Sequence, residues 1–167
     1  MDLFSAKSGA LIEQLQLHQV KHLLVGGYAV NIHGYSRGTG DMDIWIEASS
    51  ENVIRLANVL GDSGFDVAGL IAYAPQVPEK GLFLRIADED FVLDIMTRID
   101  GIEFEAAYAH HDIYDLEGLE IHLIHRNDLV LNKLTSGRLK DIDDVQKLQY
   151  VEAYWKGKKL DDFKKPS

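Results

Sequence analysis

Residues 37–46 read RGTGDMDIWI and combine a glycine-containing turn with a segment that carries two aspartates. From residue 41 onward, acidic or aromatic side chains alternate with aliphatic ones, which is typical of a β-strand with one face in a core. This period predicts that Asp41 and Asp43 point to one face and the intervening aliphatic residues to the other. Two neighbouring carboxylates repel each other, so a bound divalent cation with oxygen ligands is the simplest source of compensation.

A glycine pair precedes this strand. Gly26 and Gly27 follow a short apolar run and lead into a predicted helix. Glycines after a strand let the backbone approach a ligand closely, and a helix N-terminus favours an anion. The pair is therefore a candidate phosphate-binding turn, and Arg37 and Thr39 in the next loop are candidate side-chain donors.

A third acid, Asp94, lies within the otherwise apolar residues 91–96. A buried carboxylate is costly unless it is paired or binds a metal. If its strand lies beside that of Asp41 and Asp43, the three carboxylates would suit a site for two metal ions. The residues leave one alternative open, which is that Asp94 is a core acid bonded to a local arginine.

The order of predicted elements indicates an α/β (α+β) fold with a mixed β-sheet, flanking helices and C-terminal helices. We expect one domain over residues 1–167, with a helical C-terminal part at about 126–156. Residues 65–71 are predicted to be extended. Residues 75–81 contain two prolines and are predicted to form a loop. Asn127 is the predicted N-cap of the helix that contains Lys133, which is a further candidate for contact with a phosphate tail.

Composition excludes several classes of protein. The chain is 46% apolar and 26% charged, as in soluble globular proteins, and its apolar runs are too short to cross a bilayer. No signal peptide is recognisable, so we expect a cytoplasmic protein without membrane contact. Cysteine is absent, which excludes disulfides and zinc–thiolate sites. The formal net charge of −10 argues against an extensive nucleic-acid-binding surface but permits local handling of a nucleotide through metal ions.

Residues 25–30 (VGGYAV) and 37–44 (RGTGDMDI) together resemble the signature of the DNA polymerase β-like nucleotidyltransferase superfamily. Within it, the chain looks closest to the small bacterial branch that contains AbiEii-type toxins and uncharacterised nucleotidyltransferases. The resemblance covers roughly residues 23–148. It includes residues 138–144 (RLKDIDD), which are similar to an R-x-K-D-x-x-D stretch of that branch.

The resemblance implies that Asp41 and Asp43 are metal ligands and that Asp94 is the third carboxylate and general base. It also implies that the Gly26–Gly27 pair holds the triphosphate and that Lys133 contacts it. The implied reaction is in-line attack of an acceptor hydroxyl on the α-phosphate of a nucleoside triphosphate. ATP is the expected donor, with one or two Mg²⁺ ions, and the acceptor is a protein, a tRNA or a small molecule.

An alternative from another class is a catalytically silent protein of the same fold that binds or regulates a cognate partner, such as one component of a toxin–antitoxin pair. The retention of three costly acids argues against it.

Other side chains have two interpretations. Trp45 shares the strand face of the acids and either stacks a base or closes the rim of the sheet. Four histidines, His110, His111, His122 and His125, are close in sequence. Adjacent histidines on loops are usually exposed, and His122 and His125 do not share a strand face, so no zinc site is predicted.

Overall fold

The computed structural model describes residues 5–157, and its frame is a six-stranded mixed sheet. The strands are β1 (His22–Val25), β2 (Asp41–Ile46), β3 (Phe83–Ala87), β4 (Val92–Met96), β5 (Asp112–Leu116) and β6 (Leu119–Leu123). They lie in the order β3-β4-β2-β1-β6-β5. The pairs β2–β4 and β1–β6 are parallel and the other neighbours are antiparallel, which confirms the predicted mixed sheet.

Helices surround this sheet. They are α1 (Ala6–Leu17), α2 (Gly26–Ile32), α3 (Ser50–Asp62), α4 (Ala68–Tyr73), α5 (Val77–Lys80), α6 (Phe104–Tyr108), α7 (Arg126–Ser136) and α8 (Leu139–Gly157), with a 3₁₀ turn at Ala74–Gln76. The last two confirm the C-terminal helices of the predicted fold class. Among the described helices, none has the length and apolarity that a bilayer-spanning segment needs. The organisation of all 167 residues as one domain stays a prediction, since residues 1–4 and 158–167 lie outside the described part.

The core explains why β2 takes its orientation. Met42, Ile44 and Ile46 are fully buried, while Asp41 and Asp43 on the opposite face remain partly accessible. All four residues of β1 are buried, as expected for a central strand that is covered on both faces. The predicted orientation of the two aspartates is therefore confirmed.

Three local predictions are wrong. Residues 65–71 are not extended, because α4 begins at Ala68. Residues 75–81 are not a loop, because the 3₁₀ turn and α5 place their prolines in first turns, where a missing N–H is tolerated. Asn127 is not the cap of α7, since the His125 ring accepts a hydrogen bond from the Asn127 N–H.

The aromatic side chains also resolve one choice. Trp45 is buried, donates its indole N–H to the Thr97 carbonyl at 3.1 Å and packs edge-on against Phe104. It therefore closes the sheet and does not present a face for base stacking. His111 and His122 are not simply solvent-exposed: they are partly buried, and their ring nitrogens share a 2.9 Å hydrogen bond.

Candidate active site

Parallel pairing of β2 with β4 brings the three predicted acids together. Asp43 lies directly opposite Asp94 in the register, and Asp41 points to the same face from two residues earlier. The Asp94 side chain is only 8% exposed, whereas that of Asp41 is 47% exposed. We call these three residues the acidic site.

Within the acidic site, Asp43 is the carboxyl whose pKa is raised. Burial, with the charges of Asp94 and Asp41, raises the pKa of the Asp43 carboxyl to about 6. Gly26 makes room for this carboxylate: its φ is +64°, and a Cβ added there would overlap Asp43 Oδ2. Only glycine accepts both the left-handed backbone and the close approach.

Gly27 lies against the loop that precedes β2. A Cβ at Gly27 would lie 2.5 Å from Thr39 Oγ1 and 3.2 Å from Arg37 Nη2. The Thr39 hydroxyl donates to the Asp41 carbonyl at 3.3 Å. The missing side chain thus lets the loop and the first turn of α2 meet at the edge of the acidic site.

One cleft of about 360 Å³ contains all eight residues that the sequence singled out. They are Gly26, Gly27, Arg37, Thr39, Asp41, Asp43, Asp94 and Lys133. The cleft is also lined by Gly40, Arg85, Arg138, Lys140 and Asp141.

Arg85 is the residue of this cleft that sequence reasoning missed. Its Nε donates to Asp94 Oδ1 at 2.7 Å, and its Nη2 donates to Asp94 Oδ2 at 2.7 Å and to Asp41 Oδ2 at 3.4 Å. The alternative interpretation of Asp94, an acid bonded to a local arginine, is therefore correct in geometry. A signal was present, because Arg85 is the basic residue in the strand that forms a hairpin with the strand of Asp94.

The ion pair between Arg85 and Asp94 determines which carboxylate oxygens are available to a metal. Across residues 5–157, no three histidine, aspartate or glutamate side chains form a ready-made ligand set for a metal ion. Arg85 engages both oxygens of Asp94 in a fork, so the third carboxylate is occupied. Donor chemistry nevertheless fits a divalent cation, because Asp41, Asp43 and Asp94 supply only carboxylate oxygens and lack full neutralisation.

A second group of charges lines the other side of the cleft. Lys133 is buried, and its Nζ lies 2.8 Å from Asp141 Oδ1 and 2.8 Å from Asp144 Oδ2. Arg37 forms a bidentate pair with Asp144, at 2.7 and 2.9 Å, and Arg138 Nε donates to Asp141 at 2.7 Å. We call these five residues the ion-pair network.

The network neutralises its own carboxylates. Burial alone would raise the pKa of Asp141, but hydrogen bonds from Lys133, Ser136 and Arg138 lower it to about 2. Hydrogen bonds from Arg37 and Lys133 likewise lower the pKa of Asp144 against the effect of its burial. Lys133 and Arg37 thus reach the cleft with their charges already paired.

Comparison with known proteins identifies the family of this chain. A family model for nucleotidyltransferases of unknown function (DUF6036) matches residues 6–154. The chain belongs to this nucleotidyltransferase family. The superfamily resemblance is thereby confirmed, while placement in the AbiEii-like branch stays a prediction. No curated protein matches the chain in sequence.

Solved structures share the fold at low identity. A protein from Thermotoga maritima assigned as a nucleotidyltransferase superposes with a TM-score of 0.56 at 14% identity, over 84% of this chain and 88% of that one. ANT(2″)-Ia in complex with adenylyl-2″-tobramycin has a TM-score of 0.51 at 12% identity, over 89% and 94%. An antigenic nucleotidyltransferase-like protein from Paracoccidioides brasiliensis has a TM-score of 0.50 at 15% identity, over 92% and 87%. These similarities establish a nucleotidyltransferase fold.

Proposed function

We propose that this nucleotidyltransferase moves a nucleoside monophosphate from ATP to an acceptor hydroxyl and that Asp41, Asp43 and Asp94 hold Mg²⁺ for the reaction. The observation that carries the proposal is the convergence of these carboxylates in one cleft with the Gly26–Gly27 turn. Membership of the family supports nucleotidyl transfer in general.

The charge of the acidic site supports a metal role. With its pKa raised to about 6, Asp43 ionises near neutral pH only at an energetic cost, and a bound cation would remove that cost. Bound there, Mg²⁺ would offset the phosphate charges and polarise the α-phosphate.

The chain's own residues supply positioning and proton transfer. The Gly26–Gly27 turn admits the triphosphate close to the backbone. Asp94 accepts the proton of the acceptor hydroxyl as its oxygen bonds to the α-phosphorus. The bond from that phosphorus to the bridging oxygen breaks on the opposite side, and pyrophosphate leaves with the electron pair.

The acceptor we favour is a small molecule or a protein in the cytoplasm. A net charge of −10 opposes extensive contact with tRNA. ANT(2″)-Ia has a similar fold, and its structure contains adenylyl-2″-tobramycin. This complex supports a small-molecule hydroxyl as one class of acceptor.

Labelled donors test this function directly. The chain is incubated with Mg²⁺, each α-³²P nucleoside triphosphate in turn, and a cell lysate separated into protein, RNA and small-molecule fractions. We expect label from ATP to enter one fraction with wild-type protein and not with Asp43→Asn. Transfer by Asp43→Asn at the wild-type rate would refute the metal assignment.

One observation favours the catalytically silent alternative, in which the chain binds a partner protein. Arg85 already holds both oxygens of Asp94, the proposed base. Thermal unfolding with Mg²⁺ and each triphosphate separates the two functions. A catalyst gains stability with a triphosphate and loses that gain in Asp41→Asn, whereas a silent protein shows no shift with any of them.

A further inference from the structure

Arg85 is the basic residue that contacts two of the three carboxylates of the acidic site, Asp94 and Asp41. We propose that Arg85 is a displaceable counter-cation: it holds Asp94 and Asp41 while the site lacks a metal and leaves them when a divalent cation binds. The inference rests on the proposed metal-dependent function and adds a residue that sets the affinity for the metal.

Strand register, and not chance contact, places the guanidinium. Arg85 is directly opposite Asp94 in the antiparallel pair β3–β4, and Asp94 is directly opposite Asp43 in the parallel pair β2–β4. Directly opposed residues share a sheet face, so the three form one row across three strands. A one-residue slip of β3 would send Arg85 to the other face.

The contacts place Arg85 in competition with a metal. Its fork takes up both Asp94 oxygens, and Nη2 reaches Asp41 Oδ2 at 3.4 Å. Those oxygens are donors that a divalent cation would need, and two cations that share one carboxylate repel each other. Arg85 and a metal therefore compete for the same carboxylate oxygens of Asp94 and Asp41.

Arg85 is also placed where it can leave. Its side chain is 54% exposed, in contrast to 8% for Asp94, and β3 is an edge strand of the sheet. A long, half-exposed side chain reaches water by rotation about its own bonds, without movement of the backbone. Asp94 has no such freedom, so the pair opens from the arginine side.

The ion-pair network does not supply a substitute for Arg85. Its three basic side chains, Lys133, Arg37 and Arg138, are all paired with Asp141 or Asp144. Loss of Arg85 would therefore leave the buried Asp94 carboxylate without its partner. The affinity of the acidic site for a divalent cation would then increase.

Mn²⁺ binding tests the exchange on the full chain. Free Mn²⁺ is followed by electron paramagnetic resonance during titration of wild-type protein, Arg85→Met and Arg85→Lys. We expect Arg85→Met to bind Mn²⁺ about tenfold more tightly, within the range of ordinary coupling between two sites. Arg85→Lys should show a smaller gain, because lysine keeps the charge but loses the fork.

A matched control and a second readout accompany the titration. Arg55→Met removes an arginine on α3 whose Nη1 contacts only the Gln19 carbonyl, at 3.4 Å, among the hydrogen bonds described, and its Mn²⁺ affinity should equal that of wild type. In thermal unfolding, Arg85→Met should have a lower Tm than wild type in EDTA. Addition of Mn²⁺ should raise the Tm of Arg85→Met more than that of wild type. If Arg85→Met does not fold, Asp94→Asn is compared with Arg85→Met/Asp94→Asn, where release of Asp41 should still tighten Mn²⁺ binding.

Outcomes separate this inference from the function on which it rests. Equal or weaker Mn²⁺ binding by Arg85→Met, while wild type binds Mn²⁺ and transfers label, overturns the role of Arg85 alone. Absence of Mn²⁺ binding in wild type and in every Arg85 variant overturns the metal site and the inference together. Tighter binding by Arg85→Met with an unchanged Arg55→Met control supports both.

Discussion

Two neighbouring groups of charges share one cleft and are built in opposite ways. The ion-pair network sets three basic side chains against two aspartates, and the pKa of Asp141 falls to about 2. The acidic site sets three aspartates against the single guanidinium of Arg85, and the pKa of Asp43 rises to about 6. The paired charges of the ion-pair network stabilise helix packing, whereas the excess negative charge of the acidic site favours binding of a cation.

The first prediction breaks the acidic site at Asp43. We expect Asp43→Asn to lower nucleotidyl transfer by about 10³-fold, which is typical for loss of a group that organises transition-state charge. The same change should stabilise the metal-free protein by about 3 kcal/mol at neutral pH, because it removes a carboxylate whose pKa is raised from 3.8 to about 6. Labelled-product assays and urea unfolding in EDTA measure the two effects. Asp143→Asn, at an exposed aspartate of α8, should change neither quantity.

The second prediction breaks the ion-pair network at its centre. Lys133→Met should destabilise the fold by about 3 kcal/mol, because Asp141 and Asp144 lose a buried partner. Urea unfolding measures the change, and Lys80→Met at an exposed lysine of α5 serves as control. A Lys133→Met protein that is as stable as wild type but no longer binds triphosphate would reverse our assignment of Lys133.

The third prediction uses pH to separate the two regions. Asp43 has a raised pKa, so its contribution favours the fold at low pH and is lost as pH rises from 3.8 through about 6. Asp141 has a lowered pKa, so its contribution is present above 3.8 and is lost as pH falls through about 2. The stability gained in Asp43→Asn over wild type should therefore be near zero below pH 3.8 and reach about 3 kcal/mol well above pH 6.

That difference is measured in EDTA by chemical unfolding at a series of pH values. Asp141→Asn should lose stability relative to wild type, and this loss should vanish as pH falls through about 2. The two variants should therefore differ from wild type in opposite directions at neutral pH, and differences of the same sign would contradict the contrast between the regions.

The fourth prediction concerns Gly27, where the loop with Arg37 and Thr39 meets α2. A Cβ at Gly27 would press on Thr39 Oγ1, so Gly27→Ala should raise the KM for the triphosphate about tenfold, or about 1.4 kcal/mol. Gly38→Ala is the matched control, because an added Cβ there meets nothing within 4 Å. Steady-state kinetics measure both, and equal KM values would remove Gly27 from the phosphate site.

Much of the acidic site was predictable from local pattern. Alternation along residues 41–46 predicted the shared face of Asp41 and Asp43, and the glycine pair predicted a turn beside them. Prediction was weaker where local rules have exceptions. The prolines near residues 75–81 indicated a loop, yet a proline in the first turn of a helix leaves no bond unmade. The predicted contact of Lys133 with phosphate stays a prediction; its pairing with Asp141 and Asp144 was not predicted, because a lysine's spacing in sequence does not show which carboxylates it meets.

By itself, the sequence determined which side chains of β2 point to the core and which to the cleft, because that alternation is a property of the strand backbone. It did not determine that Asp94 lies beside Asp43, that Arg85 lies across from both, or that Lys133 is neutralised by Asp141 and Asp144. These contacts depend on strand order, register and helix packing, which join residues far apart in the chain. Only the tertiary structure decides them, and with them which charges are paired and which remain in excess.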